Sequence, residues 1–516
     1  MQLVILHYHL NRGGVTSVVE NHLRSLALQQ PEACPTRAAI VYGGRAAAWN
    51  ERLADELPFE CSLVAVPELE YDNLRSPDGS LYDALQVVLN QFDRESTVLH
   101  VHNHSLGKNA DMAPVVCRLA DEGWRLLLQI HDFSEDLRPS NYQHLLHEAE
   151  SVEQLRGQLY PQAAQIQYAV LNQRDQQILT QTGVAGERVH LLPNPVKALP
   201  DLPDAQRLAA AQTELAQSLD LPAGHRFVLY PVRPIRRKNV GELLLWSLLL
   251  DDATFALTLT PLNPQEQATY QQWVEFATEL RLPILFEVAR NTELLFEEIY
   301  AAADAIITTS VAEGFGMVYL EASLAGKQLI GRNLPEVCAD FLKAGMRFPG
   351  LLETMAIPAD RIDLEELKRS HLHRIKDLRA AYGLPPEGPK KTQTVDSCFL
   401  GNTIDFGRLE LKGQMDFLRR VKAEADLRKF LRALNPIVQS FGAISEEALR
   451  RTLKNNRQVI TEHYSPAVIG QQLSDVYQSL LSSVPSKVAR EPAIAGAILD
   501  RFVHPNQLFP IRLEPA

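Results

Sequence analysis

Cysteine is scarce in this sequence: five in 516 residues (Cys34, Cys61, Cys117, Cys338 and Cys398), an odd number with no CxxC pair. That argues against a disulfide framework and a thiolate zinc ribbon and fits a reducing compartment. Long hydrophobic runs are missing as well. The most apolar stretch, LLLWSLLL at 243–250, falls far short of the ~20 residues a membrane span needs. The N-terminal MQLVILHYHLNRGG has no basic leader and no cleavage site, so a signal peptide is not expected and the sequence points to a cytoplasmic protein. Basic residues are outnumbered, 51 Lys and Arg against 63 Asp and Glu, for a net charge of −12. A surface that coats nucleic acid is therefore excluded, whereas a local pocket for one diphosphate needs only a few cations.

What is present is an ordinary globular composition, 46 % hydrophobic and 22 % charged. The length allows roughly three units at about 150 residues per domain. The first half alternates β-rich runs with helical stretches, the pattern of a parallel sheet covered by helices. Strands are expected at Leu3–Tyr8, Ala38–Tyr42, Val98–His102, Leu126–His131, Gln167–Leu171 and Val189–Leu192. Between the first two, Val15, Val18, Val19, Leu23 and Leu26 share one helical face. Residues 197–224, rich in Ala, Pro, Asp and Gln, read as a linker carrying one polar helix. A second series follows at Phe227–Val232, Phe255–Thr260, Ile284–Glu287, Ala305–Thr309 and Gln328–Ile330. The expectation is an α/β fold with one Rossmann-like domain over 1–196 and a second over 225–344. Residues 345–425 are expected as an insertion shaping acceptor choice or an oligomer contact, with a charged helix at Asp363–Tyr382 and the loop PPEGPKKTQT. Residues 426–516 are expected as helices packing back on the core. In the last of these regions Ser465 reads as an N-cap and Pro466 as a first helical residue, opening a helix with Ile469, Leu473, Val476 and Leu480 on one face.

The chemistry concentrates in SVAEGFGMVYLEASLAG, residues 310–326. A strand ends, a glycine-containing loop follows, and a helix starts near Gly316. Amides at such a start are unpaired and aligned with the positive end of the helix dipole, so they favour an anion. Glu313 and Glu321 suit hydroxyl hydrogens, on a sugar and on a ribose. Cations come from PVRPIRRKN at 231–239, where Arg233 follows the first strand of the second series and Lys238 opens the next helix. Charge-assisted bonds to a diphosphate contribute roughly 1.5–3 kcal/mol each.

These segments resemble the family-four retaining glycosyltransferases of the GT-B fold, relatives of glycogen and sucrose synthases. The shared features, in order, are Gly13–Gly14 before a helix, His131–Asp132 at a strand end, PNPV at 193–196, Arg233 with Lys238, and Glu313 to Glu321 enclosing GFG. The likeness covers about residues 1–340 and returns in the final helices; Pro195 replaces a usual glycine. The resemblance implies two Rossmann-like domains facing a cleft, and a hexose moved from a nucleoside-diphosphate sugar to an unidentified acceptor. It implies that Glu321 holds the ribose. Glu313, the amides of Phe315, Gly316 and Met317, and the neighbouring Val318 would grip the sugar. Arg233 and Lys238 would bind the diphosphate, with Gly13 and Gly14 approaching the donor from the other domain. His131 would bond the sugar near the reaction centre. No Asp-X-Asp motif ends an apolar strand, so no metal or other cofactor is expected.

Several residues have a plainer reading. Glu313 and Glu321 alone would be surface carboxylates, Gly13–Gly14 a turn and His131 a core histidine; their joint context favours function. Arg236 and Arg237 read as a solvated charge run. His100, His102 and His104 alternate, so on a strand they would share one face and invite a metal. Their place at a domain-one strand end instead suggests the acceptor side, with Asn103, His104, Lys108 and Asp132 as candidates. Glu135, Asp136 and Arg138 look too polar for a core. The rival functions are a catalytically silent GT-B scaffold, and an epimerase or phosphorylase on the same fold. A homo-oligomer is compatible with the sequence.

Overall fold

The computed structural model describes residues 1–75, 79–197, 203–385 and 399–513. The chain forms two compact units. The described residues of 1–196, 377–386 and 462–504 build the first, and those of 197–376, 387–461 and 505–516 the second.

The first unit is a seven-stranded parallel sheet: β1 (Gln2–Leu6), β2 (Arg37–Tyr42), β3 (Glu60–Ala65), β4 (Thr97–His102), β5 (Arg125–Ile130), β6 (Ile166–Val170) and β7 (Val189–Leu191). Its order is β3-β2-β1-β4-β5-β6-β7, so the chain reverses its direction of winding between β1 and β4. Helix Gly14–Ala27 covers one face and buries Val19, Leu23 and Leu26. Helix Pro466–Leu481 packs beside it through Ile469, Leu473, Val476 and Leu480. Each such side chain stabilises by about 1.5–3 kcal/mol on burial. The two helices come close because position 470 is glycine; a Cβ there would lie 2.1 Å from the Ser25 carbonyl oxygen. Ser465 occupies the N-cap position with extended backbone, but its side chain makes no capping hydrogen bond.

The second unit repeats the pattern with β8 (Arg226–Tyr230), β9 (Ala253–Leu257), β10 (Ile284–Leu285), β11 (Ala305–Thr308), β12 (Gln328–Arg332) and β13 (Gly350–Leu352). The order is β10-β9-β8-β11-β12-β13, parallel throughout. The apolar run at 243–250 is explained by helix Val240–Leu249, every residue of which is buried. The polar helix expected in the linker is Ala205–Ser218, opened by the Asp204 side chain accepting from the Arg207 amide. Both units are Rossmann-like, and the fold class is the GT-B one with a helical C-terminal region.

The expected partition after residue 344 does not hold. β13 extends the second sheet, and β14 (Ala356–Pro358), β15 (Phe399–Leu400) and β16 (Thr403–Asp405) form a small antiparallel sheet. Helix Leu411–Ala423 buries Phe417, Leu418 and Val421 in the same core as helix Val240–Leu249. Residues 345–376 and 399–425 are thus part of the second unit's core rather than an insertion into it. Arg332 ties this region down, donating to Glu242 and to Asp405, with all three carboxylate and guanidinium groups buried. The C-terminal helices do not pack as one block either, since 426–461 belongs to the second unit and 462–504 to the first. From residue 386 on, the loop PPEGPKKTQT lies outside the described residues.

Candidate functional site

In open parallel sheets ligands bind beyond the carboxyl ends of the strands, where the winding reverses. In the second unit that point lies between β8 and β11. The chain leaves β8 through Arg233 into a short 3₁₀ turn, Arg236–Lys238, and leaves β11 through Thr309, Ser310 and Glu313. The two exits are stitched together. Thr309 Oγ1 donates to the Lys238 carbonyl at 2.9 Å, and the Val311 amide donates to the Arg237 carbonyl at 2.9 Å. The Tyr230 hydroxyl lies 2.8 Å from Ser310 Oγ and 3.2 Å from the Lys238 carbonyl oxygen.

Glu313 is the centre of this network. Lys238 Nζ and Arg237 Nη1 donate to its two oxygens, the latter at 2.7 Å, and Ser310 Oγ adds a third bond at 2.6 Å. Burial alone would raise its pKa; the neighbouring charges of Lys238 and Arg237 and the hydrogen bonds outweigh it and hold the carboxyl down to about 2. Arg237 is therefore a fixed member of the cluster, not part of a solvated run. Arg236 likewise pairs with Glu266 at 3.1 Å, both side chains largely buried. Arg233 is half-buried and donates to the Thr260 carbonyl at 3.1 Å.

Helix Met317–Leu324 starts at Gly316, whose φ of +81° lies in the left-handed region. A Cβ there would lie 2.7 Å from Tyr319 and Val337, so only glycine fits this turn. Phe315 is buried edge-on against Phe341, and Val318 is buried behind the first turn. Met317 and Glu321 are half-buried. Burial raises the Glu321 carboxyl above its usual range. Glu313 is thus neutralised by cations, while Glu321 has no cation beside it among the described residues.

In the first unit the corresponding point lies between β1 and β4. Asn103, the residue after β4, has φ +58°, a conformation Asn tolerates better than most residues. Its Oδ1 accepts from the His131 amide at 2.7 Å and the Asp132 amide at 3.2 Å, and the Tyr8 hydroxyl donates to its carbonyl at 2.8 Å. Asn103 is 2 % exposed, so it clamps the His131–Asp132 turn and does not present a side chain to an acceptor. His131 is buried, with Nε2 2.8 Å from His102 Nδ1. Burial lowers its pKa to about 4, against a small opposing effect of Asp132.

His104 does not share a face with His100 and His102. β4 ends at His102, the chain turns, and the His104 ring is buried 2.8 Å from the Leu159 carbonyl oxygen. The third histidine beside His100 and His102 is instead His22, from helix Gly14–Ala27. Glu135 is also a core residue: fully buried, it accepts from Tyr160 and Ser134, and burial lifts it to about 7. Asp132, by contrast, is a third exposed and paired with Arg138. Lys108 is half-buried, 5.6 Å from the centre of the Tyr71 ring, and the Tyr71 hydroxyl lies 3.1 Å from His9 Nε2. Gly13 and Gly14 are exposed, and a Cβ on Gly14 would meet nothing within 4 Å. The fold itself places no demand for glycine there.

Sequence reasoning missed Arg237, hidden in a charge run, and His9, Tyr71 and His22, which carry no motif. His9 offered one signal, its place just beyond the first strand.

No family model matches the chain. It is similar to mannosylglucosyl-3-phosphoglycerate synthase of Petrotoga mobilis, 29 % identical over 353 residues; the match spans 66 %, just under two thirds, of each chain. Among solved structures it is similar to Anabaena HepE in complex with UDP and glucose, with a TM-score of 0.53 and 14 % identity over 93 % of this chain and all of that one. It is similar also to sucrose-phosphate synthase of Thermosynechococcus elongatus, with a TM-score of 0.51 and 14 % identity over 93 % of this chain and 99 % of that one.

Proposed function

We propose that this chain is a glycosyltransferase that moves a hexosyl group from a nucleoside-diphosphate sugar to an acceptor hydroxyl, with retention at the anomeric carbon and without a catalytic metal. The observation that carries this reading is the Glu313–Lys238–Arg237 cluster, set beside the start at Gly316 of the helix that carries Glu321. Lys238, Arg237 and Arg233 take the diphosphate, and the amides of Phe315, Gly316 and Met317 take the sugar oxygens. Glu321 accepts from the ribose hydroxyls. As the bond from the anomeric carbon to the leaving phosphate oxygen breaks, these cations stabilise the growing negative charge. The acceptor oxygen bonds to that carbon on the same face and its proton passes to the phosphate oxygen. No pair of enzyme carboxylates spaced for glycosidase chemistry is needed.

On the first unit, Lys108, Asp132 and Arg138 take the acceptor. The two cations, with His9 close to Tyr71, suit an acceptor bearing an acidic group. The relative named for a phosphoglycerate product supports that class. The test is to incubate the full chain, washed with EDTA, with UDP-, GDP- and ADP-hexoses and phosphoglycerate-type acceptors, following product by NMR. Transfer with retained anomeric configuration is expected. Tight donor binding without transfer to any acceptor would favour the silent scaffold.

A further inference from the structure

Five histidines crowd the interior of the first unit near the ends of β1, β4 and β5: His7, His22, His100, His102 and His131, all buried. Most buried polar atoms find a hydrogen-bond partner, and an unsatisfied one costs about 1–3 kcal/mol. Here both ring nitrogens of His22 and Nε2 of His102 are buried with no partner among the described residues, and so is Nε2 of the neighbouring Gln129. That many orphaned atoms in one place point to a missing ligand.

We propose that His22, His100 and His102 hold one zinc-class transition-metal ion in the core of the first unit. One nitrogen from each lies within 4.8 Å of the other two. The ring centres are 4.3 Å (His100–His102), 5.8 Å (His22–His100) and 6.1 Å (His22–His102) apart. Three imidazoles around a tetrahedral ion at a Zn–N distance of about 2.0–2.1 Å have ring centres about 5 Å apart, so small side-chain movements suffice. Nitrogen donors without a carboxylate suit zinc and its neighbours and not magnesium or calcium, which take oxygen. Burial keeps the three rings neutral, the form that ligates.

His100 now shares Nδ1 with the Tyr477 hydroxyl and Nε2 with Gln129 Oε1, both at 2.8 Å. Ligation displaces one of these contacts, and Tyr477 or Gln129 then stands next to the ion as a fourth donor. The nearby titratable groups are His7, His131 and Tyr477. An ion on His102 Nε2 leaves the ring proton on Nδ1, from which it is donated to His131 Nε2. The site would thus fix the tautomer of His131. It rests on geometry within one unit and does not depend on the proposed transferase activity.

A site this enclosed loads as the chain folds, so the test uses full-length protein made in zinc-supplemented medium and then washed with EDTA. Elemental analysis should find about one zinc per chain, as for a structural site formed on folding. His22→Leu and His22→Gln should lose it while remaining folded by circular dichroism. The exposed His147→Ala should keep it. X-ray absorption of the wild type should show a nitrogen-dominated first shell. Zinc-free wild type, retention of the ion by both His22 variants, or a sulfur shell would overturn the assignment and leave buried water as the partner of these imidazoles. Should both variants fail to fold, the stoichiometry and absorption spectrum of the wild type decide.

Discussion

The two sheets share one strand order over six strands, yet the strand ends at their switch points handle burial in opposite ways. The first unit gathers neutral imidazoles, with burial holding His100 to about 3 and His131 to about 4. The second gathers ions, with Glu313 held to about 2 despite its burial. Burial pushes every titratable group towards neutrality; what differs is the company. Glu313 has Lys238 and Arg237 within bonding distance, whereas the histidines face one another. One topology therefore carries a charged face suited to phosphates in one unit and an uncharged polar interior in the other.

The largest effect should come from breaking the second unit's innermost ion network. Arg332→Met would leave Glu242 and Asp405 buried without their cation and destabilise that unit by about 3–5 kcal/mol, read by denaturant unfolding. An unchanged midpoint would mean that the carboxylates are already protonated. Next comes catalysis: Arg233→Ala with Lys238→Ala should lower turnover by roughly 10²-fold or more, in a transfer assay on protein shown to be folded. A rate within a few-fold of wild type would remove the charged face from the mechanism.

Acid should separate the units. Histidines whose folded pKa lies below the unfolded value of about 6.5 contribute stability that is complete above that value. It is lost as pH falls from there towards 4 and below. A metal ion bound to them acts with the same sign, because only unprotonated imidazole ligates. Glu135, raised to about 7, and Asp175, also raised by its burial, oppose this. The Glu313 contribution is complete above the usual carboxylate range of about 4.3 and is lost only as pH falls from there towards 2. Glu242, raised to about 7, favours the second unit below neutrality. Hydrogen exchange at pH 5 should therefore show the first unit loosening before the second; simultaneous loss would refute the contrast. The smallest effects concern two glycines. Gly316→Ala should destabilise by about 1–3 kcal/mol through its left-handed backbone. Gly14→Ala, entering open space, should leave the melting temperature unchanged.

What the sequence made legible follows the same physics. Eleven of the thirteen strands of the two large sheets lie in continuous apolar runs, readable because both faces are covered. β3 escaped because it is an edge strand with alternating exposure, and β13 because Pro349 and Gly350 at its start read as a turn. The region after residue 344 was misjudged because its core contribution comes from short strands and from Phe417, Leu418 and Val421 on an otherwise charged helix. At the site, motif residues with fixed spacing, such as Glu313 and Lys238, were readable. Arg237 was not, because a charge run gives no sign of which member turns inward. Asn103 was read as an acceptor-side candidate and Glu135 as too polar for a core because their partners, the His131 amide and the Tyr160 hydroxyl, are distant in sequence.

The most direct test of the account is a calorimetric and thermal-shift titration of the full chain with UDP, GDP, ADP and their hexose conjugates, repeated with Glu321→Ala. A ligand at 100 times its dissociation constant stabilises by about 2.7 kcal/mol if it binds only the folded state. The account predicts one nucleotide series that binds and shifts the second unit's melting, with the effect abolished by Glu321→Ala. Absence of binding by all three series, or binding indifferent to Glu321, would contradict it.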